Sequence, residues 1–168
     1  MSQERRYSFE FFPTKTDAGP EKLRGVARQL ATYNPDFFSC TYGAGGSSRD
    51  RTLNTVLQLE SEVKVPAAPH LSCVGDTKEE LRALLAEYKA AGIKRIVALR
   101  GDLPSGMGMA SGELRYARDL VEFIRQETGD HFHLEVAAYP EMHPQARNFG
   151  IDLANLVHKG KAGGGSAI

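Results

Sequence analysis

Residues 67–100 read AAPHLSCVGDTKEELRALLAEYKAAGIKRIVALR, and the architecture can be worked out from them. They open on an apolar run of strand length, Ala67 to Cys73. Thr77 and Glu80 then stand at capping-box spacing, at which each side chain satisfies the other residue's backbone N–H. Leu81, Leu84, Leu85 and Tyr88 follow at helical spacing, Gly92 stops the helix, and a second apolar run covers Arg95 to Arg100. Strand, amphipathic helix and strand in this order make the βαβ unit of a parallel sheet.

The same alternation extends in both directions. Strands are expected over Arg6 to Phe12, Asp36 to Tyr42 and His133 to Tyr139, and Ser166 to Ile168 begins a sixth. Helices are expected over Glu21 to Tyr33 (Leu23, Val26, Ala27 and Leu30 on one face) and over about Ser48 to Val63 (Leu53, Val56, Leu57 and Glu60). Another is expected around Glu113 to Glu127, with Leu114, Ala117, Leu120, Val121 and Ile124, ended by Gly129. A fifth follows Pro144 and fades into Gly163, Gly164 and Gly165, read as an αβ turn. Glu10, Thr41, His70, Arg100, Tyr139 and Ile168 mark strand ends, separated by 31, 29, 30, 39 and 29 residues. A (β/α)8 barrel has about 31 residues per unit. The expected class is α/β: a truncated (β/α)8 TIM barrel of about five βα units plus the start of a sixth strand, one incomplete domain over 1–168. A smaller open parallel sheet has the same period.

Composition narrows the function classes. The 168 residues allow one domain with a real core, and 21 Lys+Arg balance 21 Asp+Glu at a pI near 7.0 and a mean hydropathy of -0.37. That balance lacks the electrostatic footprint of a nucleic-acid binder or of a protein docking on anionic lipid. No apolar stretch nears the roughly 20 residues of a membrane span, and Met1 to Arg6, followed at once by a strand, is no signal peptide. A cytoplasmic location is expected. Cys40 and Cys73 lie in apolar strand-like segments without CxxC spacing, as buried reduced thiols do.

Candidate chemistry gathers at the strand ends, where parallel α/β folds build their sites. Glu10 stands among aromatics in Phe9-Glu10-Phe11-Phe12-Pro13. Apolar surroundings would raise its pKa and make it a proton donor, whereas an outward-facing strand residue would be inert. Leu99-Arg100-Gly101-Asp102-Leu103-Pro104 puts two opposite charges and a glycine where a strand opens into a loop; the bland alternative is a surface ion pair. His70, within an apolar run, reads first as a satisfied core histidine. Tyr139-Pro140-Glu141-Met142-His143-Pro144 joins an aromatic, an acid and a histidine. His131-Phe132-His133 has metal-like spacing but enters its strand at the N-terminal end, so an exposed edge is expected. Gly106-Met107-Gly108 with Gly112 misses GxGxxG spacing and reads as a loop. Tyr42-Gly43-Ala44-Gly45-Gly46-Ser47-Ser48 is either a phosphate cradle at a helix start or a plain βα turn.

Taken together, Phe9-Glu10-Phe11-Phe12-Pro13, Thr41-Tyr42-Gly43-Ala44, Ala68-Pro69-His70-Leu71, Leu99 to Pro104 and Ala137-Ala138-Tyr139-Pro140-Glu141 resemble the methylenetetrahydrofolate reductase family, in order and over essentially the whole chain. Each motif alone is weak; five in register are specific. The resemblance implies a (β/α)8 barrel that binds FAD at its C-terminal face. It also implies hydride passing from NAD(P)H through the flavin to methylenetetrahydrofolate, giving methyltetrahydrofolate, and a homo-oligomer in full-length form. One flavin face serves both substrates in turn, so no Rossmann fingerprint is required.

By the same resemblance, Glu10 is the general acid of the folate step, and Asp102 the acid between flavin and folate. Thr41, His70, Arg100, Gly101, Asp102, Tyr116, Ala117, Ala137, Tyr139, His143, Asp152, Asn155 and Lys159 are implied FAD contacts. His158 stands where an Arg or Lys would suit a flavin phosphate better. A family member would continue past Ile168 with a folate-contacting Gln and two more units. The expectation is thus a chain holding the flavin side and the proton donor, with part of the substrate wall absent. Two alternatives remain: a non-catalytic fragment that at most binds FAD or self-associates, and a metal-dependent hydrolase using His70, Asp102 and His143. The latter is disfavoured because the first strand offers Glu10 and no His pair.

Overall fold

Strands and helices alternate along the computed structural model, which describes residues 6–14, 19–42, 46–101 and 112–168. The chain divides into two compact units, Met1–His70 and Leu71–Ile168.

In the first unit, β1 (Ser8–Phe11), α1 (Gly19–Ala31), β2 (Phe37–Cys40), α2 (Gly46–Val63) and the opening of β3 (Ala67–Ser72) follow in order. β1 pairs parallel with β2, Phe9 opposite Phe38, and β2 pairs parallel with β3, Phe38 opposite Ala67. Every residue of β2 is buried, as a parallel strand covered on both faces demands. Phe11 meets Phe38 edge-on at 5.0 Å between centroids. Helix α1 buries Leu23 and Ala27, whereas Val26 lies on the flank of that stripe and is exposed, contrary to the expected face. Helix α2 buries Leu53, Val56 and Leu59, and its Glu60 carboxylate accepts the Ala67 N–H at 2.9 Å, tying the helix to the start of β3.

The second unit runs from the end of β3 through α3 (Lys78–Ala90), β4 (Arg95–Leu99), α4 (Ala117–Thr128), β5 (His133–Val136), α5 (Phe149–Lys161) and β6 (Ser166–Ala167). β4 pairs parallel with β5, Ile96 opposite Leu134, and β5 pairs parallel with β6, Val136 opposite Ala167. Its core includes Leu81, Leu85, Tyr88, Ile96, Leu120, Ile124 and Leu134. The capping box of α3 forms as expected: Thr77 Oγ1 accepts the Glu80 N–H at 3.2 Å, and Glu80 Oε2 accepts the Thr77 N–H at 2.8 Å.

Two expectations need correction. Helix α4 begins at Ala117 rather than near Glu113, because Asp119 Oδ2 accepts the N–H groups of Arg115 and Tyr116 and holds Tyr116 extended at φ −132, ψ 155. A side chain satisfying donors ahead of the first turn fixes where the helix starts. His131-Phe132-His133 is exposed only at His133, and it opens a strand paired on both sides rather than an edge. Phe132 is buried, His131 Nε2 lies 3.2 Å from the Ile93 carbonyl, and His133 Nε2 lies 2.6 Å from Ser166 Oγ. Ser166 in turn donates to the buried Glu135 carboxylate, which also pairs with Arg95.

The strands are shorter than the apolar runs that announced them. Phe12, Thr41, Tyr42, Cys73, Arg100 and Ala137 to Tyr139 leave the ladders at their C-terminal ends; Thr41, Arg100, Ala137 and Tyr139 among them carry candidate chemistry, whereas Glu10 and His70 stay inside β1 and β3. The architecture is α/β with parallel strands, in the order of part of a TIM-like barrel. Among the described residues, no helix is long and apolar enough to cross a membrane.

Candidate cofactor site

In the second unit a cavity of about 450 Å³ opens between the end of β4, the start of α4, the loop after β5 and the near face of α5. Of the residues expected from sequence, it brings together Arg100, Tyr116, Ala117, His143, Asp152, Asn155 and Lys159. An adjoining cavity of about 220 Å³ adds Ala137 and Tyr139, together with Phe149 and Leu153, and shares His143, Asp152 and Lys159 with the first. Sequence reasoning missed Arg118 and Gln145, both lining the larger cavity. Each lies within two residues of an expected contact, so the signal was adjacency alone.

Backbone bonds hold the end of β4. The Arg100 carbonyl accepts from Ser72 Oγ at 2.8 Å and from the Val74 N–H at 3.1 Å. Gly101 sits at φ +87, and a Cβ there would lie 1.9 Å from Ser72 Oγ, so this turn requires glycine for both space and conformation. The Arg100 guanidinium donates through Nε to the Gly101 carbonyl at 3.3 Å and through Nη2 to Gln145 Oε1 at 2.7 Å.

The loop after β5 is tied to α5. Asn148 caps that helix, its Oδ1 accepting the Ile151 N–H at 2.9 Å, and Asp152 Oδ2 accepts the His143 N–H at 2.9 Å. The Gln145 N–H donates to His143 Nδ1 at 3.1 Å, which in the neutral ring leaves the proton on Nε2. Tyr139 meets His143 edge-on at 4.6 Å. Met142, between them, holds φ +125, a strained backbone of the kind that gathers at ligand-binding loops. Lys159 donates to the Ala137 carbonyl; burial lowers its pKa, with Asp152 pulling the other way. The donor set is cationic (Arg100, Arg118 and Lys159 against Asp152) beside an aromatic and apolar wall. It suits a ligand combining phosphate oxygens with a flat ring.

In the first unit, Glu10 lies next to the last residue of β1 with its side chain about half exposed rather than enclosed by aromatics. His70 is buried, and its Nε2 has no hydrogen-bond partner among the described residues, the Glu10 Oε2 lying 3.5 Å away. It is therefore a core histidine unsatisfied by the described residues, contrary to the sequence reading. Burial pushes its pKa down to about 4, so the ring that faces Glu10 at neutral pH is uncharged. The Thr41 carbonyl accepts from Thr52 Oγ1 at 2.9 Å, pinning the end of β2 to α2.

Asp102, Leu103, Pro104, Gly106, Met107 and Gly108 lie outside the described residues, as do Gly43, Ala44 and Gly45 of the suspected phosphate cradle. Among the described residues, no group of three His, Cys, Asp or Glu side chains is placed to hold a metal ion.

The family model for methylenetetrahydrofolate reductase matches residues 1–168. The 5,10-methylenetetrahydrofolate reductases of Pectobacterium carotovorum and Escherichia coli are each 44% identical over 161 residues, 96% of this chain and 52% and 53% of theirs. Methylenetetrahydrofolate reductase (NADH) 1 of Arabidopsis thaliana is 37% identical over 169 residues, 94% of this chain and 28% of its own. The chain thus spans about half the length of the bacterial relatives. Among solved structures, the carboxyl transferase domain of Rhizobium etli pyruvate carboxylase with 3-bromopyruvate aligns at a TM-score of 0.63 and 14% identity. That alignment covers 96% of this chain and 26% of that one, a likeness of fold alone.

Proposed function

The chain belongs to the methylenetetrahydrofolate reductase family, and from that membership we propose that it carries the FAD-binding part and the proton donor of a reductase acting on methylenetetrahydrofolate with NAD(P)H. The observation that supports this reading most directly is the convergence of Arg100, Lys159, Asn155 and His143 on one cavity beside an aromatic wall. That donor set fits FAD: fixed cations for the diphosphate oxygens and an apolar face for the ring system.

When bound, FAD supplies hydride transfer, from NAD(P)H and onward to the folate, which leaves as methyltetrahydrofolate. Arg100 and Lys159 hold phosphate oxygens by charge-assisted hydrogen bonds, and Arg118 adds a third cation. Tyr139, His143 and Phe149 exclude water from the ring side. Thr41, Gly101, Tyr116, Ala117, Ala137, Asp152 and Asn155 complete the contacts that their motifs imply. Asp102 is assigned by motif to the negative charge between flavin and pterin. Glu10 delivers the proton that opens the folate ring to the hydride-accepting iminium, and His70 sets a neutral imidazole rather than a cation against that carboxyl. Balanced charge supports small-molecule partners, and a cytoplasmic location belongs to the same reading.

Titration of the chain with FAD, followed by flavin fluorescence, tests the site. Arg100→Ala should weaken binding roughly 10- to 100-fold, the range for hydrogen bonds to a charged group; unchanged affinity would remove Arg100 from the site. In the full-length protein, Glu10→Gln should nearly abolish folate reduction while flavin reduction by NAD(P)H persists, since only the folate step needs the proton. Equal loss of both half-reactions would withdraw the acid role. A second reading, a fragment that self-associates, is favoured by α5, which buries no residue and exposes Phe149, Leu153 and Val157 on one stripe. Sedimentation over a concentration series together with the FAD titration separates the two: association without FAD binding supports the second reading, and FAD binding supports the first.

A further inference from the structure

We propose that Gln145 is a positioning residue of the cofactor site, acting on FAD affinity through Arg100. The inference rests on the FAD reading above and deepens it. Arginine carries many rotamers, and a guanidinium that must be ordered when its ligand arrives lowers affinity by the entropy it loses. Here two sets of bonds order it beforehand. Ser72 and Val74 fix the Arg100 carbonyl, and Gln145 Oε1 accepts from Nη2 at 2.7 Å, the shorter of the two hydrogen bonds that the guanidinium makes to described residues.

The acceptor is itself anchored, and by backbone rather than by its side chain. The Gln145 N–H donates to His143 Nδ1 at 3.1 Å, and the His143 N–H donates to Asp152 on α5 at 2.9 Å. Truncating the exposed Gln145 side chain leaves those anchors in place and removes its hydrogen bond to the guanidinium; the double mutant separates that loss from any change in the cavity wall. The amide is uncharged, so it orients the cation without cancelling the charge that an anionic ligand needs.

The test is a double-mutant cycle on FAD dissociation constants, read by flavin fluorescence with wild type, Gln145→Ala, Gln145→Asn, Arg100→Ala and Arg100→Ala/Gln145→Ala. Melting temperatures check that each variant is folded. Gln145→Ala should raise the dissociation constant roughly 2- to 10-fold, the cost of immobilising one rotamer-rich side chain. Gln145→Asn should do the same, because its amide falls one methylene short. In the Arg100→Ala background the Gln145→Ala change should have almost no effect, since a residue acting through a partner is silent once the partner is gone. Several outcomes would overturn the proposal while leaving the FAD reading intact: an unchanged Gln145→Ala alongside a weakened Arg100→Ala, full rescue by Asn, or equal losses in both backgrounds. Absence of FAD binding, or indifference to Arg100→Ala, would remove the FAD reading and this inference with it.

Discussion

Burial pushes the Cys40 thiol up to about 12 and the Cys73 thiol up to about 11. Thiolate is the reactive form, so both cysteines should be inert in the folded protein. An aromatic disulfide reagent at pH 8 should label neither within minutes and both in denaturant; rapid labelling of the native chain would show that one of the strands bearing them opens easily. Their burial was legible in the sequence, because each lies within an apolar run of strand length. His70 lies in such a run too, yet its unsatisfied Nε2 was not legible. Whether a buried polar atom finds a partner depends on residues far away in sequence, and here Glu10 on another strand comes within 3.5 Å without making a hydrogen bond.

At the scale of elements, two glycines should respond to the same substitution with opposite signs. Gly163 follows α5 at φ +119, and an added Cβ would lie 2.7 Å from Arg125 Cγ and Nε. Arg125 in turn donates to the carbonyls of Gly163, Phe132 and Gly129, so it cannot withdraw without breaking the link between α4 and the turn into β6. Gly163→Ala should therefore cost about 1–3 kcal/mol in urea unfolding. Gly25 stands inside α1 with nothing within 4 Å of its would-be Cβ, and Gly25→Ala should stabilise by about 0.5–1 kcal/mol. A neutral or stabilising Gly163→Ala would mean that neither its backbone conformation nor the Arg125 contact constrains that turn. The sequence announces each glycine and the helix around it. Only the packed turn distinguishes the glycine that is required from the one that is merely tolerated.

For the molecule as a whole, His70 couples folding to pH. Its pKa is about 4 when folded against the ordinary 6.5 of an imidazole, so the unfolded chain binds the proton more tightly. Its share of stability is complete above about 6.5 and is lost as pH falls toward 4. The Glu10 carboxylate 3.5 Å away favours the protonated ring, but it is half exposed and screened by water, so burial prevails. Urea midpoints should fall through that window by an amount equivalent to at most about 3 kcal/mol, and His70→Gln should flatten the slope. An unchanged slope would assign the effect to other groups. Sequence by itself determined the succession of strands and helices, the capping box at Thr77, the family resemblance and most of the residues that line the cavity. Those features depend on side chains a few positions apart, or on motifs carried at strand ends. Tertiary structure alone decided that α4 waits for Asp119, that Arg100 meets Gln145 across 45 residues of chain, that Arg125 guards Gly163, and that buried His70 Nε2 finds no hydrogen-bond partner among the described residues. Caps and apolar periods act within a turn or two of helix, whereas partnership and desolvation are set by which distant side chains the packed chain brings together.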